Sequence, residues 1–304
     1  VRATVTGATG LIGSRLLPAL LRENFEVTVL SRSPARARAR LVDGVELAAW
    51  DPLAEPAPAA ALEGRDAVVH LAGATVARRW SARARREIRD SRVRGTERLV
   101  QGLASVRERP RVLVCSSATG YYGAAGEEPL DEDAPPGKDF LAQLCVDWEA
   151  QARRAADLGV RVVHLRTGVV LDRRGGALAR MLTPFKLGLG GPIAGGRQFM
   201  PWIHHEDLVA LLLAAIGDER FGGAVNATAP EPVANREFAR ELGRVLHRPA
   251  LMPLPGPALR AIFGEMSTVL TTGARAMPAK ALVLGFGFRH PQLEEALRSA
   301  LADG

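Results

Sequence analysis

The sequence predicts an α/β protein: a doubly wound parallel sheet with a smaller, mixed α/β region at its C-terminal side. Three observations carry this. Short apolar, β-branched runs alternate with helix-length segments through the first half, as a parallel sheet covered on both faces requires. The first of these runs ends in a glycine-rich turn that opens a helix. After about residue 167 the alternation gives way to glycine- and proline-punctuated sequence carrying isolated helices.

The first strand, RATVT (2–6), runs into TGATGLIG, where Gly7, Gly10 and Gly13 are spaced G-x-x-G-x-x-G ahead of an apolar-periodic helix. Glycine makes the tight turn, lets backbone approach a pyrophosphate, and allows close helix-to-strand packing, while the helix N-terminus faces the phosphate charge. Such a triplet is weak alone, but its place in the first βα unit makes it a Rossmann-type dinucleotide turn. Gly7, Thr9, Gly10, Leu11, Ile12 and Gly13 are the expected contacts. The second strand, EVTVLS (26–31), closes on Ser31 and Arg32, with Arg36 following. An acid at this corner would accept from the adenosine ribose, whereas an arginine suits a 2′-phosphate, so the expected cofactor is NADP(H).

VELAAW (45–50) is the third strand, and the proline-rich PLAEPAPAAA (52–61) reads as a surface loop. AVVHLA (67–72) is the fourth; Leu71, Ala72 and Gly73 at its end would let a cofactor lie across the sheet edge. In SARARREIRDSRVRGTER, arginines alternate with acids along a solvated helical face. RVLVCSS (111–117) and RVVHLR (161–166) are the fifth and sixth strands. Ligands gather at the carboxyl ends of such strands, so HLAG (70–73) and CSSATGYYG (115–123) should face the pocket. The expected cofactor domain spans residues 1–166 and the substrate region 167–304, with residues of about 200–228 contributing to the first unit. Helices are expected at 206–216 and 235–246, and a strand at AVNAT (224–228).

Composition bounds the partners. The 304 residues are 47% hydrophobic and 24% charged, as in an ordinary globular protein. The net charge of +7 is carried almost entirely by arginine, with lysine only at 138, 186 and 280. No aromatic-interleaved basic strand accompanies it, so nucleic acid is set aside in favour of an anionic cofactor or substrate. The apolar run LVALLLAAI (208–216), closed by Asp207 and Asp218, is too short to span a membrane. VRATVTGATG enters a strand directly, with no signal peptide, which places the protein in the cytoplasm. Cys115 and Cys145 give neither a disulfide framework nor a metal-ligand spacing, and no metal is expected.

The segments TGATGLIG, VLSR, HLAG, RRW with SR after it, YYG, FLAQLCVDWE, LRTGVVL, GGPIAGGRQFMPWIHHEDL, NATAPEPV and LGFGF run almost end to end. Together they resemble the extended short-chain dehydrogenase/reductase superfamily, and within it the atypical epimerase-family branch of the sugar-nucleotide epimerases and dehydratases. The resemblance implies a hydride-transferring enzyme and extends the cofactor contacts to Glu87, Ser116 and Arg166. In typical members a tyrosine made acidic by a lysine four residues on exchanges the proton. Setting that Tyr-x-x-x-Lys-x-x-x-Glu pattern on Glu149 puts Leu141 and Cys145 in the tyrosine and lysine positions; counting from Phe140 puts Leu144 in the lysine position. Neither register restores the pair.

The chain has two tyrosines, Tyr121 and Tyr122, close after Ser117, the hydroxyl that in relatives meets the substrate. Ser117, Tyr121 and Tyr122 are therefore the candidate catalytic groups. A free tyrosine has a pKa of about 10 and needs a cationic neighbour to act near neutrality; the alternative for Tyr122 is packing or ligand binding without proton transfer. Cys145 reads either as a thiolate base or redox sensor, or as a buried small hydrophobe. Resemblance places Thr167, Met200, Trp202, His204 and His205 on the substrate wall. His204 or His205 would serve as a general acid, or HHED would cap a helix with Asp207 in its first turn. Arg166 would meet an anion or pair with an acid inside the fold, and LGLGGPIAGG (187–196) would form a flap or an irregular loop. Relatives often dimerise through a helix pair, here including the segment around Cys145.

Two functions compete. One is an NADP-dependent oxidoreductase or epimerase acting on a small polar substrate such as a nucleotide sugar. The other is a non-catalytic NADP(H)-binding redox sensor or regulator, which the missing tyrosine–lysine pair favours.

Overall fold

The computed structural model describes residues 1–302. Its strands are β1 (Arg2–Thr6), β2 (Glu26–Ser31), β3 (Val45–Ala49), β4 (Ala67–His70), β5 (Val112–Ala118), β6 (Pro129–Leu130), β7 (Arg161–Thr167), β8 (Val169–Leu171), β9 (Phe199–Met200), β10 (Trp202–His204), β11 (Gly223–Ala227), β12 (Val233–Ala234) and β13 (Arg275–Ala276). Seven of them form one sheet in the order β11-β7-β5-β4-β1-β2-β3, every neighbouring pair parallel. The strand order reverses between β1 and β4, so a crevice opens at their carboxyl ends.

The helices are α1 (Leu11–Arg22), α2 (Pro34–Arg38), α3 (Ala82–Ala104), α4 (Phe140–Arg153), α5 (Gly176–Lys186), α6 (His205–Gly217), α7 (Asn235–Val245), α8 (Gly256–Phe263), α9 (Thr268–Thr271), α10 (Ala279–Val283) and α11 (Leu293–Ala302). Strand alternation divides the core into two layers. Val112, Val114, Val163 and Leu165 join α1 and α6 through Leu16, Leu20, Leu208 and Leu211. Leu113, Cys115 and Val162 turn the other way, to Leu99 and Leu103 of α3 and Trp148 of α4. A one-residue slip of β5 or β7 would exchange these faces, so the pattern fixes the register. It also fixes that His164 and Arg166, in step with Val162, point toward α4.

Local signals start the long helices. The Ser81 hydroxyl accepts from the Ala84 N–H, and Asp139 Oδ1 accepts from the Ala142 N–H at 2.9 Å. Beyond β7 the chain builds a second core from Leu171, Leu178, Trp202, Phe238, Leu242 and Leu297. It also returns β11 to the edge of the main sheet and lays α6 on α1. Among the described residues no helix is long and apolar enough to cross a membrane.

Candidate functional site

At the carboxyl ends of β1, β2 and β4 lies a cleft of about 730 Å³, a size suited to a ligand. Gly7, Thr9 and Gly10 form its floor, Ser31, Arg32 and Arg36 one end, and Leu71, Ala72 and Gly73 the opposite wall. Gly7 has φ +70°, and a Cβ there would lie 2.6 Å from the Leu71 carbonyl carbon. Only glycine satisfies both demands. A Cβ on Gly13 would lie 2.5 Å from the Ala8 Cα, so this glycine sets the approach of α1 to the turn. Leu11, Ile12 and Gly13 form the first turn of α1 rather than lining the cleft, and such a turn holds unpaired N–H groups suited to a pyrophosphate.

Arg32, Arg36 and Arg40 all line the β2 end, with Ser31 and Ser33, and no carboxylate lines the cleft. A dianionic 2′-phosphate fits that donor set; a bare ribose diol would leave the cations unmatched. Arg40, Trp50 and Ser91 also line the cleft and were not anticipated. The four-residue spacing of Arg32, Arg36 and Arg40 was a readable signal for the first of these; Trp50 and Ser91 come from distant segments and left none.

Three further expected cofactor residues, Glu87, Ser116 and Arg166, lie outside the cleft lining. Glu87, near the start of α3, accepts from Arg78 Nη2 at 2.7 Å and Arg83 Nε at 3.0 Å and does not line the cleft. Those two hydrogen bonds hold its carboxyl below the usual range. Arg166 is 3% exposed and lies inside the protein. Its Nε and Nη2 grip the two oxygens of Glu149, each at 2.9 Å, while Nη1 donates to Tyr122 Oη at 3.1 Å and to the Glu132 carbonyl at 3.0 Å. Of the two roles open to Arg166, the structure shows the internal ion pair.

The same network absorbs two candidate catalytic groups. Ser117 is buried and donates to Glu149 Oε1 at 2.7 Å, because residues 115 and 117 share the face that meets α4. Tyr122 is also buried, its oxygen 2.9 Å from the Asp131 carbonyl and 2.7 Å from Asn226 Oδ1. Its single proton serves one of these acceptors while Arg166 supplies a further donor, so the hydroxyl is saturated. Burial pushes its pKa up to about 12 despite Arg166. These contacts correct the expectation of a substrate-facing serine and tyrosine: both groups hold the fold. Tyr121 is half-buried, its ring 3.4 Å from the Arg166 guanidinium carbon. Ser116, one residue out of phase with Ser117, is half-buried. Cys145 is buried, and burial with the nearby Glu149 charge pushes its thiol up to about 12, so it is no thiolate at neutral pH.

The expected substrate wall divides. Trp202 is fully buried in the second core, its indole donating to the Glu231 carbonyl at 3.1 Å, so it cannot touch a substrate. His204 is fully buried as the N-cap of α6, its Nδ1 accepting from the Glu206 N–H at 3.2 Å. Its ring lies 4.3 Å from that of His205 and 3.9 Å from that of His290. Asp207 accepts from the Arg289 and His290 backbone N–H groups, so HHED caps a helix and binds the C-terminal segment to it. His205 is likewise buried. Met200 and Thr167 remain half-buried, Met200 with its sulfur 2.9 Å from Asn235 Nδ2. None of the five lines the cleft. The 187–196 loop is stitched to residues 252–254 by Met252 N–H to the Gly190 carbonyl, Leu254 N–H to Pro192 and Ala194 N–H to Leu254.

Known proteins share this arrangement. The sequence profile of the NAD dependent epimerase/dehydratase family matches residues 3–227, and that of the domain of unknown function DUF1731 matches residues 254–300. The chain is 40% identical to the chloroplastic epimerase family protein SDR39U1 homolog of Arabidopsis thaliana, over 98% of this chain and 86% of that protein. It superposes on the crystal structure of human epimerase family protein SDR39U1 with NADPH, at a TM-score of 0.89 and 36% identity, covering 100% of both chains. It also superposes on a nucleoside-diphosphate sugar epimerase from Corynebacterium glutamicum at a TM-score of 0.79 and 32% identity, covering 99% of this chain and 58% of that one. With its glycine turn, its strand order and its two matched segments in place, the chain belongs to the NAD-dependent epimerase/dehydratase family.

Proposed function

We propose that this protein is an NADP(H)-dependent oxidoreductase or epimerase acting on a small polar substrate such as a nucleotide sugar. The observation that carries the cofactor choice is the β2 end of the cleft, where Arg32, Arg36 and Arg40 are among the lining residues and no carboxylate is. The human relative crystallised with NADPH and the relative described as a nucleoside-diphosphate sugar epimerase support the cofactor and the substrate class. When bound, NADP(H) supplies or accepts a hydride at its nicotinamide. The chain's own part is to hold the pyrophosphate at the N-terminus of α1, the 2′-phosphate at Arg32 and the nicotinamide half toward β4 and β5. Proton transfer falls to Tyr121, to the substrate or to water, since Ser117 and Tyr122 are bound inward. Two free, buried thiols favour a reducing compartment such as the cytoplasm.

A second reading is an NADP(H)-binding sensor, favoured by Leu141 and Cys145 standing where the register sets the relatives' tyrosine and lysine, and by the closed network of Glu149, Arg166, Ser117 and Tyr122. Fluorescence titration with NADPH, followed by incubation with a panel of nucleotide sugars and carbonyl compounds, separates the two. Cofactor consumption or sugar isomerisation supports the enzyme; tight binding with neither across the panel supports the sensor. No NADPH binding at all would reject both.

A further inference from the structure

Helix α3 holds a half-buried arginine, Arg92, with no carboxylate partner among the described residues. Arg78 and Arg83 pair with Glu87, Arg85 with Glu265 and Arg89 with Asp147, while Arg86 is exposed and Arg98 donates to Gln101 Oε1. Arg92 differs. Its Nη1 donates to the Ala74 carbonyl at 2.9 Å and the Ile88 carbonyl at 3.3 Å, and among the described residues no carboxylate lies within ion-pair distance. Taking a cation out of water without a counter-charge is unfavourable, so an unmatched arginine asks for a reason. Burial holds its pKa below the usual arginine value, with Cys145 acting the other way; a guanidinium nevertheless keeps its proton at any physiological pH.

Its position supplies the reason. The guanidinium carbon would lie 3.1 Å from a Cβ on Gly73, so that glycine makes room for it. It lies 5.1 Å over the Trp148 ring of α4. Arg92 therefore joins the turn after β4 to the stretch of α4 that carries Cys145. Arg92 stands just behind the cleft lining, to which its neighbours Gly73, Ala74 and Ser91 belong. A dinucleotide with its pyrophosphate on α1 and its adenosine at β2 must run its other half past this turn. The register set on Glu149 assigns Cys145 the place of the relatives' lysine, and the cation absent from that place is supplied, beside it, by α3.

We propose that Arg92 is a positioning residue for the nicotinamide half of NADP(H), its Nε and Nη2 groups donating to the nicotinamide-ribose hydroxyls in place of the missing lysine. The proposal rests on the NADP(H) reading above. A guanidinium cannot release a proton as an ammonium can, so Arg92 orients the ribose and relays nothing. A relay would in any case find Tyr122 saturated.

The test compares NADPH with 2′,5′-ADP, which has the adenosine half and no nicotinamide, by titrating the full chain and its Arg92→Gln, Arg92→Lys and Arg32→Ala variants. Arg92→Gln should weaken NADPH about ten-fold or more, the usual effect of losing charge-assisted bonds, and leave 2′,5′-ADP unchanged. Arg92→Lys should recover much of the loss. Arg32→Ala should weaken both ligands. NADPH affinity unchanged in Arg92→Gln overturns the proposal alone, as does an equal loss for both ligands, which would mean a structural role. If the unmodified protein binds neither ligand, the NADP(H) reading falls and takes the proposal with it.

Discussion

At the β2 end of the crevice, Arg32, Arg36 and Arg40 face a cleft lined by no acid. At the β5 and β7 end, Arg166 directs N–H groups from all three of its nitrogens to Glu149, Tyr122 and the Glu132 carbonyl. Both regions are built on arginine, three at one end and Arg166 at the other, yet one is left open and the other is closed on itself. The difference teaches where to look for function: a cation without a partner at a cleft is a ligand group, while one gripped on every side holds the fold. In this chain the cofactor end of the crevice is open, and the end at β5 and β7 is tied together by the hydrogen bonds of Glu149 and Arg166.

The largest expected effect tests the closed end. Glu149→Ala leaves the Arg166 charge buried and unmatched and should cost about 3–5 kcal/mol of stability in denaturant unfolding. A loss below about 1 kcal/mol would show that water reaches this pair and that the site is not closed.

Next comes pH, which probes a histidine behind each end. His70, with Nδ1 2.7 Å from Thr6 Oγ1, and His164, in step with Arg166, both have pKa values lowered to about 4, chiefly by burial. The unfolded chain protonates them near 6.5, so between pH 6.5 and 4 it binds more protons than the native state. Their contribution is therefore complete above about pH 6.5 and lost as pH falls toward 4, roughly 3 kcal/mol for each. Substituting either by Gln should flatten the stability profile in that window. A profile that stays as steep in both variants would assign the acid sensitivity to other groups.

A smaller effect sharpens the open end. Arg32→Ala should weaken NADPH about 10- to 100-fold and NADH little, because it removes a charge-assisted contact to the 2′-phosphate alone. Equal losses would move the phosphate to Arg36 and Arg40. Smallest is Tyr122→Phe, expected to lower stability by about 1 kcal/mol without altering NADPH affinity. Ultraviolet titration should show the native phenol ionising only at high pH; ionisation near neutrality would restore Tyr122 as an acid.

Much of the open end was legible in the sequence, because its determinants are local. Gly7, Gly10 and Gly13 are consecutive in one turn, and Ser31 and Arg32 end one strand. The closed end depends on which strand face meets which helix. Glu149 was noticed as a register mark, but nothing local says that α4 lies across β7 and delivers its carboxylate to Arg166. Trp202 and His204 failed for a related reason. An aromatic and a histidine after a glycine-rich loop look like a pocket wall, yet β10 pairs with β8, which buries Trp202 in the second core and His204 at the start of α6. The pairing of Glu87 with Arg78 and Arg83, outside the cleft lining, likewise depends on contacts that no local pattern announces.

The joint around Arg166 also has a history within the life of each molecule. The Glu132 carboxylate accepts from the backbone N–H of Asn226, 94 residues onward, and from that of Lys280, 148 residues onward. During synthesis the sheet from β1 to β5 emerges well before these two donors, so the Glu132 carboxylate relies on water until they arrive. The family's two matched segments thus meet at this carboxylate. A chain released before residue 226 would carry a nearly complete nucleotide-binding half whose Glu132 carboxylate lacked both backbone donors.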